Sequence, residues 1–288
     1  MRRFAVIDVG SNSVRLMLVA DGKVLYKRLN TTRLGEGLAQ TPYLNEEAME
    51  RTATAIASFY AQAKEEGAKQ TLVFATAATR SAKNKEVFLE KVKALCGLEI
   101  DVISGEEEAE IGLLGALGNQ DGAIIDVGGA STEIVVKKNG EILYKKSVDV
   151  GVVRLKDICG RDKKALIERS LIEIEKFGQV PNKLPFYGIG GTATTLAAQY
   201  LGLEEYQSDK ITGAVLPGDG IQALADKFAL MPVEEIAKLP CMPKGREDVI
   251  LGGAVWLATL LKGLDIRQIT VSDRDNLEGY AIKRGLME

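Results

Sequence analysis

Histidine is absent from the 288 residues of this chain. Ser-His-Asp and Cys-His nucleophile sites, His-ligated zinc and proton transfer through imidazole all require that side chain, so composition alone excludes them. Any acid–base chemistry must therefore use carboxylates, lysine or tyrosine.

Cysteine is scarce, and the three present (Cys96, Cys159 and Cys241) are odd in number and widely separated. That pattern supports neither a disulfide framework nor a Cys-x-x-Cys metal site. Long apolar runs are also missing, since none approaches the ~18 residues that a membrane span needs. Residues 1–4 lead straight into a strand-like run without a signal-peptide pattern. We therefore expect a cytoplasmic protein with no membrane partner.

An excess of positive charge is lacking as well, because 37 Lys+Arg face 40 Asp+Glu and the formal net charge is -3. The chain is therefore a poor candidate for general nucleic-acid binding. If its ligand is a polyanion, a divalent metal and local basic groups must offset the repulsion. At ~150 residues per domain the length predicts two domains, and a hydrophobic fraction of 46% is ample for two cores.

An internal repeat organises the sequence. Residues 4–13 (FAVIDVGSNS) align with residues 122–131 (GAIIDVGGAS), an offset of 118, and the same offset brings DGKVLYK (21–27) onto NGEILYK (139–145). Ten of the 23 pairs from Ala5 to Lys27 are identical, against roughly one or two expected from average composition. The pattern predicts a duplication in which each copy is a strand, a polar turn, a second strand and a tight type I′ hairpin at Asp-Gly or Asn-Gly.

Each copy then continues into a helix and another strand. In the first copy the helix is expected at about 46–66, capped by Asn45 and ended by Gly67, before a strand at 71–75. In the second copy the helix is expected at about 163–177, before a strand at 185–189. We predict two α/β domains, 1–121 and 122–277, with the functional site in the cleft between them.

The polar turn of each copy has the composition of a phosphate-binding loop. A carboxylate ends the strand (Asp8 or Asp126), glycine lets the backbone approach a ligand, and hydroxyl and amide groups can donate to phosphate oxygens. An ordinary turn is the alternative, because the same residues are the usual turn formers. The presence of two copies and a third glycine loop favours phosphate. The loop residues are Gly10, Ser11, Asn12 and Ser13 in the first copy and Gly128, Gly129 and Ser131 in the second.

The third loop is GIGGTATTL at residues 188–196, where a strand turns on Gly190 and Gly191 into a helix that begins near Thr192. A helix N-terminus presents free N–H groups and positive dipole to an anion. The segment lacks the lysine of a P-loop and the full G-x-G-x-x-G spacing, so neither standard assignment applies. A threonine-capped helix after a tight turn is the alternative.

A second carboxylate, Glu133, follows Asp126 by seven residues and can face the same pocket across a hairpin. Two acids beside phosphate loops need a cation between them, and Mg²⁺ or Mn²⁺ suits oxygen ligands. The alternative is that Glu133 lies on an outward strand face. Arg15 occupies its position in the first copy, so we expect both side chains to face the cleft if either does, which makes Arg15 a candidate phosphate contact.

The segment SGEEEA (104–109) precedes an apolar-periodic helix. A capping box between Ser104 and Glu107 explains it locally. Without histidine, however, hydrolysis at phosphorus needs a carboxylate to orient or deprotonate water. The spacing therefore makes Glu108 eligible as a base and no more.

Seven ordered segments spread over nearly the whole chain resemble the exopolyphosphatase and guanosine pentaphosphate phosphatase (Ppx/GppA) family. They are IDVGSNS (7–13), RLGEGL (33–38), ATAATR (75–80), ISGEEEA (103–109), IDVGGASTE (125–133), GIGGTATTL (188–196) and VSDRDNLEG (271–279). The resemblance implies the fold of the actin, Hsp70 and sugar kinase superfamily: two duplicated ribonuclease H-like (actin-like ATPase) α/β domains with an inter-domain cleft. In that superfamily the last helix commonly packs on the first domain, so residues 278–288 are expected there.

The resemblance also implies a metal-dependent exopolyphosphatase that removes the terminal phosphoryl group of inorganic polyphosphate by direct attack of water, or the 5′ γ-phosphate of pppGpp. Position by position, Glu108 is the implied general base, while Asp126 and Glu133 hold Mg²⁺ or Mn²⁺ and position water. Asp8 is the implied metal contact of the first domain, and the three loops bind phosphate. Arg33 and Arg80 are implied partners of the anion. A homodimer is common in the family.

This chain departs from the family pattern in two places. Ala130 stands within the usual GGGS run, and the common GLREG appears as residues 275–279, DNLEG, without its arginine. Because the chain lacks histidine and is short, we expect the short, two-domain form of the family, without the histidine-dependent helical extension of longer relatives. Two alternatives stay open: a small-molecule kinase of the same superfamily, and a non-catalytic alarmone or polyphosphate binding protein.

Overall fold

The structure, a computed structural model, describes residues 3–287. Residues 1, 2 and 288, which belong to the predicted segments 1–121 and 278–288, lie outside the described residues. The first half contains strands β1 (Arg3–Val9), β2 (Ser13–Ala20), β3 (Lys23–Thr31), β4 (Gln70–Ala75) and β5 (Asp101–Val102), with helices α1 (Glu46–Glu65), α2 (Ala77–Ser81), α3 (Lys85–Cys96) and α4 (Gly105–Leu117).

The second half contains strands β6 (Gly122–Val127), β7 (Thr132–Lys138), β8 (Glu141–Val148), β9 (Phe186–Ile189), β10 (Val215–Pro217) and β11 (Gln268–Val271). Its helices are α5 (Val152–Cys159), α6 (Lys163–Ile174), α7 (Gly190–Tyr200), α8 (Ser208–Ile211), α9 (Gly218–Leu230), α10 (Val233–Ile236), α11 (Ile250–Gly263) and α12 (Asn276–Lys283), and a 3₁₀ turn at Glu175–Phe177 extends α6.

The two sheets have the same topology. The first has the strand order β3-β2-β1-β4-β5, in which β2 is antiparallel to both neighbours and the other pairs are parallel. The second has the order β10-β11-β9-β6-β7-β8, which repeats that arrangement and adds β10 antiparallel at the edge. The predicted α/β fold of two duplicated ribonuclease H-like (actin-like ATPase) domains is therefore confirmed.

The duplication extends to backbone detail. Both hairpin tips have positive φ at two successive residues, 49° and 76° at Asp21-Gly22 and 54° and 79° at Asn139-Gly140, as a type I′ turn requires. The strand before each tip carries an irregularity at the equivalent place, between Leu18 and Val19 in β2 and between Val136 and Lys137 in β7. Such agreement supports descent of both halves from one unit.

The helix ends follow the expected capping chemistry. The Asn45 side chain accepts hydrogen bonds from the backbone N–H groups of Glu47 and Ala48 at the start of α1, and Gly67 beyond its end has φ of 81°. The Ser104 hydroxyl accepts from the Glu107 backbone N–H at the start of α4. These caps satisfy N–H groups that would otherwise lack partners in the first turn.

Helix α4 lies between the two sheets. Its Leu113 packs with Ile124 of the second sheet, and its Ile111 belongs to a cluster on the first sheet. Leu277 and Tyr280 of α12 pack into that same cluster, where Tyr280 stacks on Phe74 with ring centroids 4.5 Å apart. The end of the chain therefore covers a face of the first sheet, while the limits 1–121 and 122–277 stay predictions.

Candidate active site

The two hairpin loops meet at the centre of the molecule. Each is closed by the same backbone hydrogen bond, from Gly10 N–H to Ser13 O and from Gly128 N–H to Ser131 O, both 3.0 Å. A Cβ atom added to Gly129 would stand 2.8 Å from the Ser11 Cβ. Only glycine permits this approach, so the loops of the two halves contact each other directly.

A cavity of about 90 Å³ lies where these loops meet the third loop, at the start of α7. Fourteen of the residues singled out from the sequence line it: Asp8, Gly10, Ser11, Asn12, Ser13, Arg15, Glu108, Asp126, Gly128, Gly129, Ser131, Gly190, Gly191 and Thr192. The structure thus brings together residues that are as far as 184 positions apart, and it does so between the halves, as predicted for the cleft.

Glu108 is a buried carboxylate on this cavity, with 7% of its surface exposed. Burial raises its pKa to about 7; Arg80 acts in the opposite direction, and the nearby Asp8 adds to the rise. Arg80 Nη1 donates to Glu108 Oε2 at 3.0 Å and also to the Ile103 carbonyl oxygen. Arg80 therefore fixes the orientation of the carboxylate, and the pKa of Glu108 lies close to neutral pH, as a general base requires.

Asp126 is the second buried carboxylate on the cavity. Burial raises its pKa to about 8, and the charges of Asp275 and Glu108 add to that rise. Asn276 Nδ2 donates to Asp126 Oδ2 at 3.1 Å. A carboxylate crowded by other acids favours either a proton or a cation.

Asp8 holds the equivalent position in the first half, but its environment differs. Arg15 donates to Asp8 Oδ2 through Nε at 3.0 Å and through Nη2 at 2.5 Å. Arg15 also pairs through Nη1 with Asp275. Burial raises the pKa of Asp8, although Arg15 opposes the shift. In this half a fixed cation already stands beside the carboxylate.

Glu133 lies opposite Asp126 in the β6–β7 register, as Arg15 lies opposite Asp8 in β1–β2. It does not line the cavity, because its Oε1 accepts a hydrogen bond of 2.6 Å from the Ser147 hydroxyl on β8. Burial raises its pKa well above the ordinary value, and Glu108 and Asp126 raise it further. Glu133 Oε2 is buried and has no hydrogen-bond partner among the described residues, and the influence of Glu108 and Asp126 on its pKa shows that the three acids lie close together.

Arg80 and Arg33 also lie off the cavity wall. Arg80 reaches the site through its contact with Glu108. Arg33 pairs with Asp248 at 2.9 Å and lines a separate cleft with Arg51 and Lys244. The structure does not bring Arg33 to the central cavity.

Arg246 is a component of the site that sequence reasoning missed. Its side chain lines the cavity and is 9% exposed, and its guanidinium nitrogens stand so close to Gly191 that a Cβ there would lie 2.1 Å from Nη1. Across the described residues it makes no ion pair, and its buried Nε has no hydrogen-bond partner. Burial and, after it, the charge of Arg15 lower the pKa of Arg246 to about 10. A buried, unpaired guanidinium is costly unless an anion joins it.

A neighbouring cavity of about 230 Å³ shares Arg15, Gly190, Gly191 and Arg246 with the central one. Its other lining residues include three cationic or hydroxyl-bearing side chains (Lys27, Arg28 and Thr194) and three apolar or aromatic ones (Leu29, Tyr206 and Pro243). This outer cavity continues the site beyond the two arginines.

The acids of the site are candidate ligands for the expected cation. Within residues 3–287 no group of three or more His, Cys, Asp or Glu side chains is arranged to hold a metal ion. Buried oxygens without a hydrogen-bond partner are nevertheless present on Asp8 (Oδ1), Glu133 (Oε2) and Asn276 (Oδ1). Mg²⁺ commonly uses one or two carboxylates together with substrate phosphate oxygens and water, so these residues fit such a cation.

Comparison with known proteins agrees with the site. The Ppx/GppA phosphatase family matches residues 18–284. The chain is 32% identical to exopolyphosphatase 2 of Mycobacterium tuberculosis over 98% of both chains. It is 31% identical to the guanosine-5′-triphosphate,3′-diphosphate pyrophosphatase of Photobacterium profundum, covering 99% of this chain and 58% of that one. The crystal structure of an exopolyphosphatase-like protein superposes with a TM-score of 0.90 at 26% identity, covering 98% of both chains. No helix within 3–287 is both long and apolar enough to cross a membrane.

Proposed function

The chain belongs to the Ppx/GppA phosphatase family, and from that premise we propose that it is a metal-dependent exopolyphosphatase acting on the terminal phosphoryl group of inorganic polyphosphate. The observation that carries the proposal is Glu108: a buried carboxylate with a pKa of about 7, held by Arg80 at the wall of a cavity made of phosphate-type loops. Hydrolysis of a phosphoanhydride needs a base placed to accept a proton from water, and Glu108 meets that requirement.

In the proposed reaction the terminal phosphoryl group enters the central cavity. The loops Gly10–Ser13 and Gly128–Ser131 and the start of α7 donate to its oxygens, and Arg246 supplies the uncompensated positive charge. Glu108 accepts a proton from water as the water oxygen forms its bond to phosphorus. The bond from phosphorus to the bridging oxygen breaks, and its electron pair leaves with the shortened chain towards the outer cavity.

Asp126 and Glu133, with Oδ1 of Asp8, would hold Mg²⁺ or Mn²⁺, while Asp8 Oδ2 stays on Arg15. When bound, such a cation neutralises charge on the phosphate oxygens. The acids alone would repel a polyanion, so the crowding of Glu108, Asp126 and Glu133 supports a cation requirement.

A second substrate, pppGpp, is favoured by the outer cavity. Leu29, Tyr206 and Pro243 offer apolar and aromatic surface beside the two arginines, which is suited to a nucleoside that carries phosphates. We further propose a cytoplasmic enzyme that forms a homodimer and consists of domains 1–121 and 122–277, the first completed by residues from 278 onwards.

The test is phosphate release by the purified protein with Mg²⁺, measured in parallel on polyphosphates of several lengths, pppGpp and ATP. We expect release from polyphosphate, or from pppGpp if the outer cavity serves a nucleoside, and little from ATP. Binding of these compounds without release from any would contradict the proposal and favour a sensor.

A further inference from the structure

Arg15 stands at the junction of the two cavities and is already occupied. Of its five N–H donors, two point at Asp8 Oδ2, from Nε at 3.0 Å and Nη2 at 2.5 Å, and a third points at Asp275 from Nη1. Burial alone would lower the pKa of Arg15, but the two carboxylates raise it well above the ordinary value. The cation is thus held by two negative charges at the place where a polyanion must pass.

Asp275 is buried, and each of its two carboxylate oxygens accepts a hydrogen bond. Its Oδ1 accepts from the Leu277 backbone N–H and caps α12, while its Oδ2 accepts from Arg15. Burial would raise the pKa of Asp275, but Arg15 and Lys27 lower it, so it is a carboxylate in the folded protein. It lines the outer cavity and is 4% exposed.

The negative charge of Asp275 is not needed for the helix. Asn and Ser cap helices about as well as Asp, and the second capping contact runs from the Asp275 backbone N–H to Glu278, which any residue can make. Its charge instead acts on the site, because it neutralises Arg15 and is the largest charge contribution raising the pKa of Asp126.

We propose that Asp275 is an affinity-limiting residue for the polyanion. By holding and offsetting Arg15, it leaves Arg246 as the arginine shared by the two cavities that has no carboxylate partner among the described residues, so the shortened chain is bound weakly after each cleavage and leaves. This inference rests on the proposed polyphosphatase activity and extends it: the enzyme releases its substrate between cleavages.

The experiment measures tripolyphosphate binding by calorimetry with Mg²⁺ in a Glu108→Gln background, so that the ligand stays intact. Asp275→Asn keeps the helix cap and removes the charge. Asp273→Asn is the matched control, because Asp273 lines the same outer cavity but bonds Tyr206 and Ser208 and does not contact Arg15. We expect at least tenfold tighter binding in Asp275→Asn and less than threefold change in Asp273→Asn, since a unit charge a few Å away acts strongly at low dielectric.

A second readout uses the active enzyme. With long-chain polyphosphate, Asp275→Asn in the otherwise wild-type protein is expected to lower KM and to leave fewer chains of intermediate length, because each chain stays bound for more cleavages. Asp275→Ser, which also caps, is expected to act in the same direction and guards against a folding defect of one variant.

Unchanged or weaker tripolyphosphate binding in both Asp275 variants, with hydrolysis by the wild type intact, would overturn this inference alone. An equal gain in Asp273→Asn would also overturn it, because general charge and not the hold on Arg15 would then set affinity. Failure of the wild type to bind or hydrolyse any polyphosphate would contradict the proposed function and this inference together.

Discussion

Each half of the molecule contains a copy of the same hairpin, but the two copies carry different charges beside the strand-end acid. In the first half the strand-end acid Asp8 faces Arg15, whereas in the second half Asp126 faces Glu133. One position of the repeat therefore carries opposite charge in the two copies. In the proposed function the fixed cation of the first half can face an anion, whereas the paired acids of the second half need a bound metal ion to do so.

The strand that follows each hairpin, β3 in the first half and β8 in the second, adds to this difference in charge. Arg15 lies beside Leu29, whose side chain is apolar, in the β2–β3 register, and it pairs with Asp8 and Asp275. Glu133 lies beside Ser147 in β7–β8 and accepts its hydroxyl. Two differences in side chains between the copies thus change the charge next to the strand-end acid from positive to negative. The fold of the two copies stays the same, so the site could diverge without a change of fold.

The largest effect is expected where the charges of both halves meet, at Glu108. Glu108→Gln keeps the shape and removes the base, so kcat on polyphosphate should fall by about 10²–10⁴-fold, while tripolyphosphate still binds. Steady-state kinetics and calorimetry measure the two. Glu107→Gln, one residue away and paired with Lys283 at the surface, is the control and should stay within about twofold. Equal losses in both variants would show that helix α4 is perturbed and that Glu108 has no special role.

The next effect separates the two arginines of the site by their function. Arg246→Gln removes the unpaired cation, so tripolyphosphate binding should weaken by about 10–100-fold, as loss of a charged hydrogen bond predicts. The fold should be unaffected or stabilised, because no carboxylate loses its partner. Binding within threefold of the wild type would remove Arg246 from the site.

Arg15→Gln should show the opposite balance in the free energy of unfolding. It leaves Asp8 and Asp275 without their shared cation, and we expect a loss of about 1–3 kcal/mol, below the value for a fully buried pair because Arg15 is partly exposed. Urea denaturation of both arginine variants measures this. If Arg246→Gln is the more destabilising of the two, the comparison between a paired and an unpaired cation fails.

The smallest effect concerns pH. The pKa values of Glu108 and Asp126, about 7 and about 8, lie above their ordinary values of 4.5 and 3.8. At pH values between the ordinary and the raised pKa, the folded state therefore binds more protons than the unfolded state. Stability of the metal-free protein should therefore be highest below about pH 4 for these groups and fall as the pH rises to about 8. Thermal denaturation in EDTA measures the slope. Asp126→Asn should flatten its upper part, and an unchanged slope would contradict the assignment.

The features that could be predicted from the sequence are those that depend on local pattern and on the internal repeat. The offset of 118 residues predicted the two hairpins and their polar loops, because register follows from alternation and turn type. Sequence reasoning could not predict the places of Arg246, Asp275 and Asn276 in the site, because their contacts are tertiary: Asp275 meets Arg15 across 260 positions of the chain, and Asn276 meets Asp126 across 150. The one available signal for Arg246 was an arginine next to glycine in a loop before the apolar helix α11.

The expectation for Glu133 illustrates the same limit. The repeat placed it correctly across from Asp126, but its direction depends on Ser147 in a third strand. The Glu133 side chain turns towards the Ser147 hydroxyl, while the longer side chain of Arg15 extends to the cavity. Register can be predicted from pattern, whereas the rotamer depends on a tertiary neighbour.

We propose that the second half holds the cation, and Mn²⁺ binding tests this proposal most directly. Electron paramagnetic resonance of free Mn²⁺ should be compared for the wild type, Asp126→Asn and Asp8→Asn, all without phosphate ligands. We expect at least tenfold weaker Mn²⁺ binding in Asp126→Asn and a smaller loss in Asp8→Asn, because Asp8 Oδ2 is already held by Arg15. Loss of Mn²⁺ binding in Asp8→Asn with binding retained in Asp126→Asn would contradict it.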